Sequence, residues 1–113
     1  MNGKMQRMGM VIGVRPETLD TYAALHAAPW PEMNALLSAA HISNYSIYLR
    51  RPENLLFGYW EYTGSDFGAD MAVLGSAEVC KRWLALTDPC QLPLPTAKPG
   101  EWWCYMDEVF HLD

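Results

Sequence analysis

The sequence predicts an α+β fold, a ferredoxin-like β-α-β-β-α-β sandwich of the dimeric α/β-barrel type, as a single domain over residues 1–113. Three observations predict it. An apolar strand-like run precedes the first helical stretch, two alternating segments joined by a short polar link lie mid-chain, and an amphipathic helical stretch leads to an aromatic-rich terminus. That order places helices on one face of an antiparallel sheet. The length fits one hydrophobic core, since domains run to about 100 to 200 residues.

The first strand is the run Met8 to Val14. Met8, Met10, Ile12 and Val14 share one face, and Gly9, Val11 and Gly13 share the other, where glycines leave room for a neighbour or ligand. Arg15-Pro16-Glu17 ends the strand and starts a helix, because proline lacks an amide that the first turn leaves unpaired and an acid suits the positive end of the dipole. From there Leu19, Tyr22, Ala23, His26 and Trp30 recur at helical spacing. Pro31 disfavours helical geometry at Trp30, so Pro31 to Ala40 forms a second segment after a kink, with Met33, Leu36 and Leu37 inward.

Ser43 to Leu49 alternates, with Tyr45, Ile47 and Leu49 on one side and Asn44, Ser46 and Tyr48 on the other, and Leu55 to Tyr62 makes a second aromatic-rich strand. The link Arg50 to Asn54 joins them as a hairpin. Thr63 to Ser76 carries three glycines and reads as a mixed stretch. Ser76 is then placed to cap a helix from Ala77 to Leu86, with Val79, Trp83 and Leu86 as its apolar stripe. Asp88 to Gly100 holds four prolines and reads as a long loop, of a length usual for lids and binding loops. Trp102 to Leu112 supplies the last strand. The second sheet face needs a cover, and a twofold homodimer is the simplest source, the alternative being cover from the proline loop and terminal aromatics.

Composition narrows the function. The formal charge of −5 and the lack of a basic face argue against nucleic acid. Cys80, Cys90 and Cys104 are odd in number, without CxxC spacing or a histidine partner, so they suggest neither a disulfide framework nor a zinc site. The polar start Met1 to Arg7 leads into a run too short for a signal segment, and no stretch approaches the roughly 20 apolar residues that span a bilayer. The expectation is a cytoplasmic protein with no membrane partner. No phosphate-binding glycine loop or nucleophile elbow occurs, and the acids are scattered over different elements, which disfavours nucleotide chemistry and glycoside hydrolysis.

One imidazole stands out. Tyr22 and His26 lie at i and i+4 and stack on one helix face. Spacing alone leaves two readings open for His26, a hydrogen-bonded core residue, which burial statistics favour, and a functional group. His41 and His111 have no ligand spacing to it. Tyr45 and Trp83 are placed to line a pocket between sheet and helices, where aromatic planes stack on the apolar faces of a small polar ligand, although both also serve as core filler.

The blocks Tyr22-x-x-x-His26, Pro29-Trp30-Pro31-Glu32, Asn44-Tyr45-x-Ile47-Tyr48-Leu49, Asn54-Leu55-Leu56-Phe57, Val79-Cys80-x-Arg82-Trp83 and Glu108-Val109-Phe110-His111-Leu112 follow one another over nearly the whole chain. In this respect the sequence resembles the L-rhamnose mutarotases. The resemblance implies a dimeric ferredoxin-like fold, interconversion of the α and β anomers of the monosaccharide L-rhamnose or a related deoxysugar, and no metal or organic cofactor. It also implies that His26 is the proton donor and that Tyr22, Tyr45, Trp83 and the neighbouring position bind sugar. That neighbouring position departs from the family's second tryptophan and is Leu84. Ring opening requires a proton delivered to the ring oxygen and another removed from the anomeric hydroxyl; histidine, with an ordinary pKa of about 6.5, suits the first task. The base stays open between a water and a distant carboxylate. Two rivals remain, a haem-binding monooxygenase of the same fold with His26 as axial ligand, and a sugar-binding module without catalysis.

Overall fold

The computed structural model describes residues 5–113; the first four residues of the polar N-terminal stretch lie outside the described residues. The chain runs β1 (Gln6–Val14), α1 (Leu19–Ala27), α2 (Pro31–Ala39), β2 (Ile42–Arg50), β3 (Leu55–Tyr62), α3 (Phe67–Ser76), α4 (Glu78–Thr87), β4 (Gln91–Leu92) and β5 (Cys104–Met106). Short 3-10 turns occupy Pro16–Thr18 and Asp88–Cys90. The sheet order is β2-β3-β1-β4, all antiparallel, with β5 also on β1. This is the expected α+β, ferredoxin-like plan.

Pro31 opens α2 at its first turn, and Trp30 before it is extended (φ −74°, ψ 125°), the backbone a residue before proline prefers. The helical run therefore breaks where the sequence predicts. On α1, Leu19 and Tyr22 are buried and His26 partly so, but Ala23 is exposed.

In the sheet, Met10, Ile12, Val14, Leu56, Trp60 and Tyr62 are buried toward the helices. The registers Met10↔Gly58 and Ile12↔Leu56 keep one face continuous across β1 and β3. A bulge between Ser43 and Ser46 of β2, with Asn44 at φ 50°, lets Ile42 and Tyr45 both contribute to the helix-side core. An unbulged strand places residues three apart on opposite faces.

Two expectations are corrected. Thr63 to Ser76, expected as a mixed stretch, holds a regular helix from Phe67 on: the Asp66 side chain caps α3 by accepting from the Ala69 amide at 3.1 Å, and Phe67, Met71 and Leu74 pack on the core. Gly68 and Gly75 sit on its exposed side. Ser76 is accordingly the last residue of α3 rather than the cap of α4, whose cap position is Ala77. The second correction concerns the last strand, which spans three residues, with 107–113 in no regular element.

The fourth strand position is divided. β4 pairs with Gly13 and Val14, and β5 pairs with Gly9 to Val11, on the same strand β1. Most of the proline-rich segment leaves the sheet between these two pieces and returns through Trp102 and Trp103. No helix among the described residues is long and apolar enough to cross a membrane.

Candidate active site

α2 and α4 pack on each other through Met33, Cys80 and Trp83. Between α1, α4 and the sheet lies a cavity of about 420 Å³, lined by α1, β2, α4, the turn after it, β4 and the segment before β5. Tyr22, His26, Tyr45, Trp83 and Leu84, the five residues singled out from the sequence, all line it. A second lobe of about 310 Å³ shares His26, Tyr45, Ile47, Trp83, Leu84 and Trp103 with the first. Its remaining walls, Met33, Leu37, Trp60, Met71 and Leu74 among them, are apolar. Beyond the shared residues, the first lobe adds the hydrogen-bonding groups of Tyr22, Thr87, Asp88 and Gln91, and the second adds mainly apolar surface.

His26 stands in the last turn of α1, one turn after Tyr22. Its Nδ1 lies 3.0 Å from the Tyr22 carbonyl oxygen. A carbonyl only accepts, so Nδ1 carries a proton and Nε2 is the nitrogen left to exchange one. The ring is also held by its neighbours: its centroid is 4.3 Å from that of Tyr22 and 5.3 Å from that of Trp83, the latter edge-on at 72°. Trp30 braces Trp83 from behind at 5.1 Å, and Trp60 does the same for Tyr45 at 5.0 Å. Two of the cavity's aromatic walls are thus each braced by a second ring.

Burial pushes the Tyr22 phenol up to about 12, the hydrogen bond from Gln91 opposing it, and burial raises Tyr45 further still. Both phenols keep their protons near neutral pH and can donate hydrogen bonds, but neither is a base. Asp88, on the cavity wall where α4 ends, is the one carboxylic acid among the lining residues. Burial raises its pKa from the ordinary 3.8.

The sequence did not single out Thr87, Asp88, Gln91, Trp102 or Trp103, all of which line the cavity. Asp88 and Gln91 were hidden in a segment read as loop. The adjacent tryptophans at its end were a usable signal, because a pair of large aromatics leaving a proline-rich loop needs an apolar surface to rest on. Among the described residues no group of three or more His, Cys, Asp or Glu is arranged to hold a metal ion. The arrangement suits proton transfer to and from a small polar ligand lying against aromatic rings.

A family model described as L-rhamnose mutarotase matches residues 7–112. The chain belongs to the L-rhamnose mutarotase family. An L-rhamnose mutarotase of Bacteroides thetaiotaomicron is 31% identical over 119 residues, covering 96% of this chain and 100% of the relative. The crystal structure of an L-rhamnose mutarotase from Formosa agariphila superposes with a TM-score of 0.74 at 23% identity, covering 96% of this chain and 99% of that one. Fold alone reaches further: tetracenomycin F2 cyclase from Streptomyces glaucescens aligns over 96% of this chain and 97% of its own, with a TM-score of 0.65 and 12% identity. Because this fold carries more than one chemistry, the family match, and not the architecture, makes this member of the mutarotase family an anomer-interconverting isomerase. The haem-binding and purely sugar-binding alternatives are not favoured.

Proposed function

We propose that this chain interconverts the α and β anomers of L-rhamnose, with His26 as the acid and Asp88 as the base. The observation that carries the reading is the fixed imidazole, whose Nδ1 is committed to the Tyr22 carbonyl while the ring lines an aromatic-walled cavity. A 6-deoxysugar has hydroxyl groups at one end and a methyl group at the other. The residues that the two lobes do not share divide in a similar way, polar in the first and mainly apolar in the second.

In ring opening the Asp88 carboxylate takes the proton from the anomeric hydroxyl. The O–H electron pair becomes the second bond of the new carbonyl, the bond from the anomeric carbon to the ring oxygen breaks, and that oxygen takes the proton from Nε2 of the His26 imidazolium. The aldehyde then turns about its bond to the sugar chain. Reclosure on the opposite face runs the same transfers in reverse, so His26 recovers its proton and Asp88 its charge. Tyr22 and Tyr45 hold sugar hydroxyls, and Trp83 with Leu84 and Trp103 supplies the apolar wall. The acid in this scheme contributes about 10² to 10⁴ in rate.

The same reading includes a single domain, a monosaccharide partner, a cytoplasmic setting and a homodimer. For the dimer, the outer sheet face bears Tyr48 at 66% exposure, and the C-terminal segment beside it leaves Phe110 and Leu112 at 78% and 80%. A second copy is the simplest cover for these side chains.

The test is anomer exchange of L-rhamnose by NMR saturation transfer, comparing the protein with His26→Ala. Exchange well above the spontaneous rate, lost in the folded variant, supports the assignment. Unchanged exchange in that variant removes His26 from the chemistry.

A further inference from the structure

A buried amide in the cavity wall decides which way a neighbouring hydroxyl of that wall points. Gln91 is 5% exposed, lies in β4 and pairs with Val14 of β1. Its Oε1 accepts from the Trp102 indole Nε1–H at 2.6 Å, and its Nε2 donates to the Tyr22 hydroxyl at 3.2 Å. An indole nitrogen only donates, so the amide cannot be reversed without setting N–H against N–H. Trp102 therefore fixes the orientation of the Gln91 amide, and the amide obliges the Tyr22 oxygen to accept. The phenol's own proton is left over. Tyr22 is 6% exposed, makes no other side-chain hydrogen bond among the described residues, and lines the cavity.

We infer that Gln91, oriented by Trp102, is a positioning residue that makes Tyr22 a committed hydrogen-bond donor into the cavity, so that the site selects a ligand with an oxygen acceptor at that point. This rests on the sugar-binding reading above, in which the acceptor is a hydroxyl or ring oxygen of the monosaccharide. The relay also joins the acid to the wall. The carbonyl of Tyr22 anchors His26 while its hydroxyl faces the ligand, so one residue sets the spacing between proton donor and sugar.

Gln91→Glu tests the direction of the relay with little change in volume. A glutamate carboxylate still accepts from Trp102, but toward Tyr22 it has an acceptor where the amide had a donor, and the phenol proton turns away from the cavity. The expected result is a KM for anomer exchange raised about tenfold or more, the scale of one well-placed hydrogen bond, with kcat changed much less. In a Tyr22→Phe background the same substitution adds nothing to KM, because the hydroxyl it acts through is gone. A KM within twofold of the parent in folded Gln91→Glu overturns the inference. So does a penalty that persists in the Tyr22→Phe background.

A second readout does not depend on turnover. The Trp102 indole N–H resonance is expected to exchange slowly with solvent in the parent and to lose that protection in Gln91→Met; equal protection in both overturns the relay itself. A parent protein that shows the protected resonance but no L-rhamnose exchange refutes the function reading while leaving the relay in place.

Discussion

Asp88→Asn separates catalysis from stability in opposite directions. The substitution keeps the side chain's shape but turns one acceptor oxygen into a donor and removes the only carboxylate lining the cavity. If Asp88 takes the anomeric proton, exchange falls by about 10² to 10⁴, which is about 3 to 5 kcal/mol of barrier. The pH dependence fixes the assignment. Burial holds the Asp88 carboxyl above its ordinary 3.8, so the acidic limb of the parent profile lies above that value, with the rate climbing as the carboxylate forms. The side-chain amide that replaces it does not titrate, and that limb disappears.

Stability runs the other way. The folded chain binds the Asp88 proton more tightly than the unfolded chain, so its contribution is fully present below 3.8 and is lost as pH rises through the raised folded value. At neutral pH the variant is therefore expected to melt at a slightly higher temperature than the parent, with the gap closing below pH 3.8. Saturation transfer across a pH series measures the first effect, and thermal melts followed by circular dichroism measure the second. A variant with unchanged exchange, or one retaining the acidic limb, refutes the role of Asp88.

Two further substitutions probe the walls. Gly58→Ala puts a Cβ 3.0 Å from Met10 Cγ and 3.4 Å from a ring carbon of Trp103, so about 1 to 3 kcal/mol of stability is lost in urea melts and Trp103 fluorescence shifts; an unperturbed variant would show that this layer is loosely packed. Leu84 is 39% exposed at the cavity edge, so Leu84→Trp is accommodated without overpacking and lowers the KM for L-rhamnose severalfold by enlarging the stacking surface, whereas a raised KM would show that the edge must stay open.

The parts of the fold visible in the sequence were those governed by local rules. Pro16 and Pro31 mark helix starts because they remove an amide that a first turn leaves unpaired, and the structure puts each in a first turn. Alternation in β2 and β3 shows the buried face because side chains in a strand repeat every two residues. Helix α3 has one local signal, the Asp66 cap, and its remaining support is tertiary. The Tyr62 hydroxyl donates to Asp70 and accepts from the Asp66 amide, and three spaced apolar residues reach a core built mainly by distant strands.

The site divides along the same line. Tyr22 and His26 are joined by helical periodicity, and the stacked rings reflect it. Gln91 meets Tyr22 across 69 positions of sequence and Trp102 across 11, through pairings that no local pattern encodes. Their meeting depends on where β4 lands on β1, which the residues between Asp88 and Gly100 do not announce.

The divided fourth strand has a consequence for how such a protein can change. β4 and β5 hold β1 at two separate points, so the stretch between them works like a cassette clipped in at both ends. Lengthening or shortening it leaves the register of the other three strands untouched, because a loop closed by fixed anchors costs only about 0.6 kcal/mol for each doubling of length. Yet this stretch delivers Trp102 and Trp103 to the ligand's side of the cleft. The chain can therefore trial new ligand-facing surfaces in that cassette while the imidazole, built on α1, keeps its place.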